Sequence, residues 1–184
     1  LVILNTPHNP TGGILRQGDL DAIAAILARH PRVWVFADEI YSRLAYDGAF
    51  DSIATRPGLL ERTVICDGAS KTWAMTGWRI GFAANRALAP VFTRWITNTD
   101  SCASQISQWA AVEAVNGPQD AAEAMRASFL ERRDFIVGLL AKVPGVTEHH
   151  TALVDFFARQ YLDMMSPANR LATNPVVLKN AIES

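Results

Sequence analysis

Short apolar runs divide the first half of the chain into candidate strands. Four such runs cover residues 1–5, 33–37, 63–66 and 79–83, and turn-forming or acidic residues lie close behind each of them. Apolar runs of roughly four to eight residues with such boundaries are typical of buried strands. The pattern therefore predicts four strands, the first of which begins at the start of the chain.

Helical spacing of apolar residues predicts four helices, and Leu20 and Leu27 lie on the apolar face of the first. The predicted helices cover residues 19–29, 87–96, 105–115 and 119–143. Strands that alternate with helices indicate an α/β fold with a largely parallel sheet. In such sheets ligands bind at the carboxyl ends of the strands. The polar residues that follow the predicted strands are therefore the candidates for a functional site.

Composition narrows the class of protein further. The chain has 184 residues, of which 49% are hydrophobic, and its formal net charge is −1. This balance suits one globular domain and gives no electrostatic reason to expect a nucleic-acid or membrane partner. No apolar run approaches the roughly 20 residues that span a bilayer. Cys66 and Cys102 stand at no motif spacing, so we expect reduced thiols, no metal site and a cytoplasmic protein.

Six polar side chains at the predicted strand ends share one chemical interpretation. A lone lysine is usually a surface cation, and a lone aspartate after a strand is usually a helix cap. Arg79 is less ordinary, because a guanidinium inside an apolar strand needs an anionic partner. The six candidates are Asn9, Asp38, Tyr41, Ser70, Lys71 and Arg79.

A phosphorylated pyridine aldehyde would use all six. Its phosphate takes a guanidinium and a hydroxyl, which Arg79 and Ser70 carry. Its protonated ring nitrogen is favoured by a carboxylate such as Asp38. Its aldehyde takes a primary amine, and Lys71 is adjacent to the proposed phosphate ligand. Its ring oxygen takes neutral donors, and these are Asn9 and Tyr41.

Three motifs in this order resemble one enzyme family, the class I and II aminotransferases. Residues 5–12 read NTPHNPTG and are similar to the family's N-P-x-N-P-T-G stretch. Residues 38–41 read DEIY and resemble its D-E-x-Y segment, and residues 70–81 contain its S-K-x-x-x-x-x-G-x-R-x-G signature. The resemblance implies a pyridoxal 5'-phosphate enzyme of fold type I, with a three-layer α/β/α large domain.

The resemblance also implies the role of each residue. Lys71 would form a Schiff base with pyridoxal phosphate and, once released, would act as the general base. Asp38 would pair with the ring nitrogen, and Asn9 and Tyr41 with the ring oxygen. Ser70 and Arg79 would hold the phosphate. The implied substrates are an amino acid and a 2-oxo acid, and members of the family are usually homodimers.

The match to the family is partial. It covers residues 1–145, which we interpret as an incomplete cofactor-binding large domain, while residues 146–184 show no recognisable family pattern. The arginine that clamps the substrate carboxylate in the family has no counterpart here. We therefore expect a fragment of a longer protein or an interrupted gene, and we expect residues 1–184 alone to be inactive and poorly soluble.

Three functions remain open from the sequence. The first is an aminotransferase, acting on aspartate or aromatic amino acids. The second is a carbon–sulfur lyase, because such enzymes share all three motifs. The third is a non-catalytic remnant or sensor domain that keeps the cofactor site without turnover.

Overall fold

The computed structural model describes residues 1–143, so the predicted tail of residues 146–184 lies outside the described residues. The chain divides into two compact units. Of the described residues, the first contains Leu1–His8 and Ile14–Ala122, and the second contains Asn9–Gly13 and residues 123–143. The predicted boundary at residue 145 stays a prediction.

A four-stranded sheet forms the centre of the first unit. Its strands are β1 (Val2–Asn5), β2 (Val35–Asp38), β3 (Thr63–Gly68) and β4 (Gly81–Ala84), in that spatial order. β1, β2 and β3 are parallel, and β4 is antiparallel to β3. The prediction of a mainly parallel sheet is confirmed.

Residues 1–143 contain five α-helices, and four of them were predicted. They are α1 (Gln17–Ala28), α2 (Ala69–Thr72), α3 (Ala89–Thr99), α4 (Gln105–Asn116) and α5 (Asp120–Leu140). The four-residue α2 is too short to leave a periodic pattern in the sequence. Short 3-10 turns, not an α-helix, connect β2 to β3; they cover Ser42–Leu44, Ile53–Thr55 and Leu60–Arg62.

Helix α1 covers one face of the sheet. It begins at Gln17 because the Asp19 carboxylate accepts the Arg16 backbone N–H at 2.8 Å and so closes the first turn. Leu20 and Leu27 are buried among apolar side chains of the sheet and of the β2–β3 connection. Each fully buried leucine contributes about 1.5–3 kcal/mol. The core therefore fixes the strands from this side.

Alternation along β2 directs its last residue away from that core. Val35 and Ala37 are buried in the core, whereas Phe36 and Asp38 are half-buried. Successive side chains of a strand point to opposite faces. Asp38 therefore lies on the face opposite α1, at the carboxyl end of the strand.

Several large apolar side chains of α3 and α4 are exposed, among them Trp95 at 66% and Trp109 at 68%. Among residues 1–143, none of the helices has the length and apolar character needed to cross a membrane.

Candidate functional site

β1 and β2 end in register, and β3 continues two residues further, to Gly68. Asn5 pairs in register with Asp38, and Asp38 pairs with Cys66. The Asn5 side chain donates from Nδ2 to Oδ2 of Asp38 at 2.9 Å, and the backbone N–H of Ile40 approaches Oδ1 at 3.4 Å. The Asp38 carboxylate is therefore oriented by contacts at both of its oxygens.

Glu39, the residue after Asp38, is buried, with 7% of its surface exposed. Ser52 donates its hydroxyl to Oε1 of Glu39, and the same hydroxyl accepts the backbone N–H of Ala54. Burial raises the pKa of the Glu39 carboxyl, although the hydrogen bond from Ser52 acts in the opposite direction. Glu39 thus ties the end of β2 to the β2–β3 connection.

Two further ionisable groups lie at the end of β3. Burial raises the pKa of Asp67, and the charge of Asp38 adds to this, while the Gly68 N–H and the charge of Arg43 lower it. Burial also raises the pKa of the Cys66 thiol, as do the charges of Asp38 and Asp67. The surroundings of Asp38 are therefore acidic.

The candidate amine lies against an aromatic ring. Lys71 is in α2, directly after β3, and Tyr41 follows β2, where its carbonyl accepts the Leu44 N–H at 2.8 Å. The Lys71 Nζ lies 5.6 Å from the centre of the Tyr41 ring, within the range of a cation–π contact. Two predicted site residues from neighbouring strand ends are thus brought together.

Two glycines let β3 and β4 approach closely where α2 begins. Gly68 and Gly81 are paired, and a Cβ on Gly68 would lie 3.1 Å from the Gly81 Cα and from the Ile80 oxygen. The Ala69 N–H donates to that oxygen at 3.3 Å. Ser70, the next residue, therefore leaves the sheet at a point where no larger residue fits without a backbone shift.

Arg79 departs from its predicted place. We predicted it inside a buried strand from residue 79 to 83, but β4 begins at Gly81 and Arg79 is exposed. It ends the 3-10 turn Thr76–Trp78 with a left-handed backbone, at φ 51° and ψ 50°. The chain has to reverse direction at Arg79, because β4 is antiparallel to β3. The side chain of Arg79 is therefore in solvent, and its guanidinium needs no buried counter-ion.

The turn that carries Arg79 is linked to α2. The Arg79 Nη1 donates to the Thr76 carbonyl at 3.0 Å, and the Thr76 hydroxyl donates to the Ser70 carbonyl at 3.3 Å. Thr76 therefore connects the two residues that were predicted to hold a phosphate. Sequence reasoning missed Thr76, because nothing in its type or spacing marks this contact.

Helix α4 and the segment after it brace the same region. Ser107 of α4 donates its hydroxyl to the Trp78 carbonyl at 2.7 Å. The Trp73 indole donates to Gln119 at 2.9 Å, and the Gln119 amide in turn donates to the Ala114 carbonyl at 2.9 Å. These contacts hold the two ends of the segment from Trp73 to Trp78, which follows α2.

Asn9, the sixth predicted residue, is exposed in the loop after β1 and belongs to the second unit. Its role stays a prediction. The other five lie in the first unit, where Asp38, Tyr41, Ser70 and Lys71 are half-buried. Within residues 1–143, no group of three or more histidine, cysteine or acidic side chains is arranged to hold a metal ion.

The chain is similar in sequence to several aminotransferases. It is 40% identical over 153 residues to the aspartate/prephenate aminotransferase of Cereibacter sphaeroides, covering 79% of this chain and 37% of that protein. It is 40% identical over 148 residues to the asparagine–oxo-acid transaminase of Streptococcus mutans, with coverage of 79% and 37%. The chain thus spans little more than a third of the length of these relatives.

Solved structures and a family model agree with this likeness. The aspartate aminotransferase of Rhizobium meliloti matches with a TM-score of 0.74 and 42% identity, over 78% of this chain and 37% of that one. The aromatic aminotransferase of Pyrococcus horikoshii matches with a TM-score of 0.72 and 35% identity, over 76% and 38%. The family model for aminotransferase class I and II matches residues 1–159, past the expected limit at residue 145. The chain belongs to the class I and II aminotransferase family, and its fold is that of the fold-type-I large domain in part.

Proposed function

We propose that this chain supplies the cofactor-binding part of an enzyme that transfers an amino group from an amino acid to a 2-oxo acid. The observation that carries the proposal is the place of Lys71. Lys71 lies in α2, which follows β3 directly, and its amine lies 5.6 Å from the ring of Tyr41, which follows the Asp38 end of β2. A half-buried lysine with this support is a candidate for covalent chemistry with a carbonyl group.

The donor set suits the family's cofactor, pyridoxal phosphate. Asp38 offers a carboxylate whose orientation is fixed, for the ring nitrogen, and Tyr41 offers a hydroxyl for the ring oxygen. Ser70 and Arg79 follow β3 on one linked turn and offer a hydroxyl and a guanidinium for the phosphate. We assign Asn9 as the second donor to the ring oxygen. When bound, the cofactor supplies an electron sink for the substrate's α-carbon.

Lys71 has two proposed tasks. It anchors the cofactor through its amine, and in its neutral form it moves a proton to and from the substrate's α-carbon. The Tyr41 ring limits where the amine can lie. An arginine at this position would keep its proton at any physiological pH and could not serve as the base.

Aspartate is the amino donor to test first, because relatives from Cereibacter sphaeroides and Rhizobium meliloti are named as acting on it. Aromatic amino acids should be tested second, because the similar Pyrococcus horikoshii structure is named an aromatic aminotransferase. The 2-oxo acid acceptor to use is 2-oxoglutarate. In the native gene product that carries residues 1–184, we expect turnover on the order of 1 s⁻¹ or above with a preferred pair.

We further propose a homodimer in the cytoplasm. Aminotransferases of this family are commonly dimers, and Cys66 and Cys102 are both free thiols, which suits a reducing compartment. Light scattering of the purified protein gives the mass, and cell fractionation gives the compartment.

Covalent trapping tests the proposal at Lys71. The chain contains three lysines, Lys71, Lys142 and Lys179, so the other two are internal controls. After addition of pyridoxal phosphate and borohydride to the native gene product, peptide mass spectrometry should find the adduct on Lys71. An adduct on the other two lysines with none on Lys71 would disprove the assignment. Lys71→Ala and Lys71→Arg should both lack transamination.

The product of the assay separates the alternative functions. A carbon–sulfur lyase would release a thiol, pyruvate and ammonia from an S-substituted cysteine, whereas an aminotransferase would convert 2-oxoglutarate to glutamate. A remnant or sensor would trap the cofactor on Lys71 and turn over neither substrate.

A further inference from the structure

Asn5 contacts the carboxylate that is assigned to the cofactor's ring nitrogen. It is the last residue of β1, and its register partner Asp38 is the last residue of β2. Its amide donates from Nδ2 to Oδ2 of Asp38 at 2.9 Å. We propose that Asn5 is a positioning residue, which orients the Asp38 carboxylate toward the cofactor's ring nitrogen. This inference rests on the proposed function.

A second asparagine shows what a purely structural role looks like in this fold. Asn85 follows β4, and its amide donates to the backbone carbonyls of Glu61 and Thr63, at 3.1 and 2.9 Å. Those bonds join chain segments and touch no ionisable side chain. Asn5 instead directs its amide to a carboxylate that is itself assigned to the site, although asparagine is disfavoured in strands.

The chemistry of the donor suits this role. Asp38 lies among acidic groups, since its charge acts on both Asp67 and Cys66. An arginine or lysine in place of Asn5 would orient the carboxylate but would also cancel its charge. An amide carries no net charge, so the carboxylate keeps its full charge for the ring nitrogen. A carboxylate that balances the charge of a protonated ring must be held in place and must stay negative, and an amide donor meets both needs.

The test measures how much more tightly the protein binds a cofactor that has the ring nitrogen than one that lacks it. The ligands are pyridoxal phosphate and its 1-deaza analogue, in which a C–H replaces that nitrogen. The quantity is the ratio of their Kd values, obtained by spectrophotometric titration of the apo form of the native gene product. The variants are Asn5→Leu, Asp38→Ala and the matched control Asn85→Leu. Asn5→Ser, with less added bulk, takes the place of Asn5→Leu if that variant does not fold.

We expect wild type to prefer pyridoxal phosphate and Asp38→Ala to show a ratio near one. In Asn5→Leu the preference for pyridoxal phosphate should be about tenfold smaller than in wild type, which is the scale of one hydrogen bond to a charged group. Asn85→Leu should keep the wild-type ratio even if its melting temperature falls. The role of Asn5 would be overturned if Asn5→Leu kept the wild-type ratio of Kd values while Asp38→Ala showed a ratio near one. That result would leave the proposed function standing. No preference in wild type would overturn both.

Discussion

The amine nitrogen of Lys71 lies 5.6 Å from the centre of the Tyr41 ring, although the two residues follow different strands of the sheet. A cation over an aromatic face gains about 0.5–1 kcal/mol at exposed sites and about 2 kcal/mol when desolvated. Tyr41 therefore has two separable parts in the proposed site. Its ring face steadies the amine, and its hydroxyl is assigned to the cofactor's ring oxygen.

Two substitutions at Tyr41 separate these parts. Tyr41→Phe keeps the ring and removes the hydroxyl, so the Kd for pyridoxal phosphate should rise by about tenfold, the scale of one hydrogen bond to a charged acceptor. Tyr41→Leu also removes the ring face and should raise the Kd by about a further threefold. Spectrophotometric titration of the apo protein measures both. Equal Kd values for the two variants would show that the ring contributes nothing to binding.

Asp38→Ala should lower turnover by several orders of magnitude, because the ring nitrogen loses its counter-charge and the cofactor its power as an electron sink. Asp38→Glu should keep part of the rate. Asp67→Asn is the matched control, because it also removes a carboxylate at the end of a strand. The Asp67 carboxylate accepts the Gly68 N–H at 2.6 Å and has no assigned contact with the cofactor. Its turnover should stay within a few-fold of wild type. Equal rates for wild type and Asp38→Ala would disprove the role of Asp38.

The turn between α2 and β4 contains two strained residues, and only one of them carries a proposed function. Ala74 and Arg79 have φ of 52° and 51°, a region that costs a non-glycine residue about 1–2 kcal/mol. Ala74→Gly should therefore raise the free energy of unfolding by about 0.5–1 kcal/mol and leave cofactor affinity unchanged. Denaturant unfolding and cofactor titration measure the two quantities.

Arg79→Gly gives the same relief of the backbone but removes the guanidinium. The Kd for pyridoxal phosphate should rise at least about tenfold, because a charged bond to the phosphate is lost. If both glycine variants bound the cofactor as wild type does, Arg79 would have no part in the phosphate site.

Glu39 should make stability depend on pH. Its pKa is raised in the folded protein from an ordinary value of 4.5, so the folded state holds a proton that the unfolded state has released. Stability contributed by Glu39 therefore falls as the pH rises from that value through the raised folded pKa. Glu39→Gln should be more stable than wild type at pH 7, and the difference should vanish below about pH 4. Denaturant unfolding across this range measures it.

Asp51 supplies a control of opposite sign. A hydrogen bond from Arg56, at 2.6 Å, lowers the pKa of Asp51 below its ordinary 3.8. Its contribution is present above that value and is lost as the pH falls through the folded pKa. Asp51→Asn should be slightly less stable than wild type at pH 7, a small effect because the Asp51 side chain is still 35% exposed and water screens its charge. The same sign for both variants would contradict the pKa directions.

The sequence predicted the parts of the site that depend on strand ends. Asp38 and Lys71 could be placed because parallel strands end at one edge of a sheet, and their apolar runs mark where each strand stops. Arg79 was misplaced because its position depends on a reversal into an antiparallel strand, which a short apolar run does not encode. The contact of Asn5 with Asp38 depends on register between distant segments, and local pattern carries no information about register.

The pairing of Gly68 with Gly81 also determines where this chain tolerates changes in length. Ser70, Lys71 and Arg79 all lie on the single excursion of residues 69–80, whose two ends are joined in the sheet. An inserted or deleted residue there would shift the amine relative to the guanidinium. The connection of residues 40–62 carries Tyr41 at its start and the buried Ile53 and Leu59 in its second half, but residues 47–49 between these parts are exposed, and a longer loop there costs little entropy. Natural variation in loop length should therefore concentrate around residues 47–49 and be absent between the two glycines.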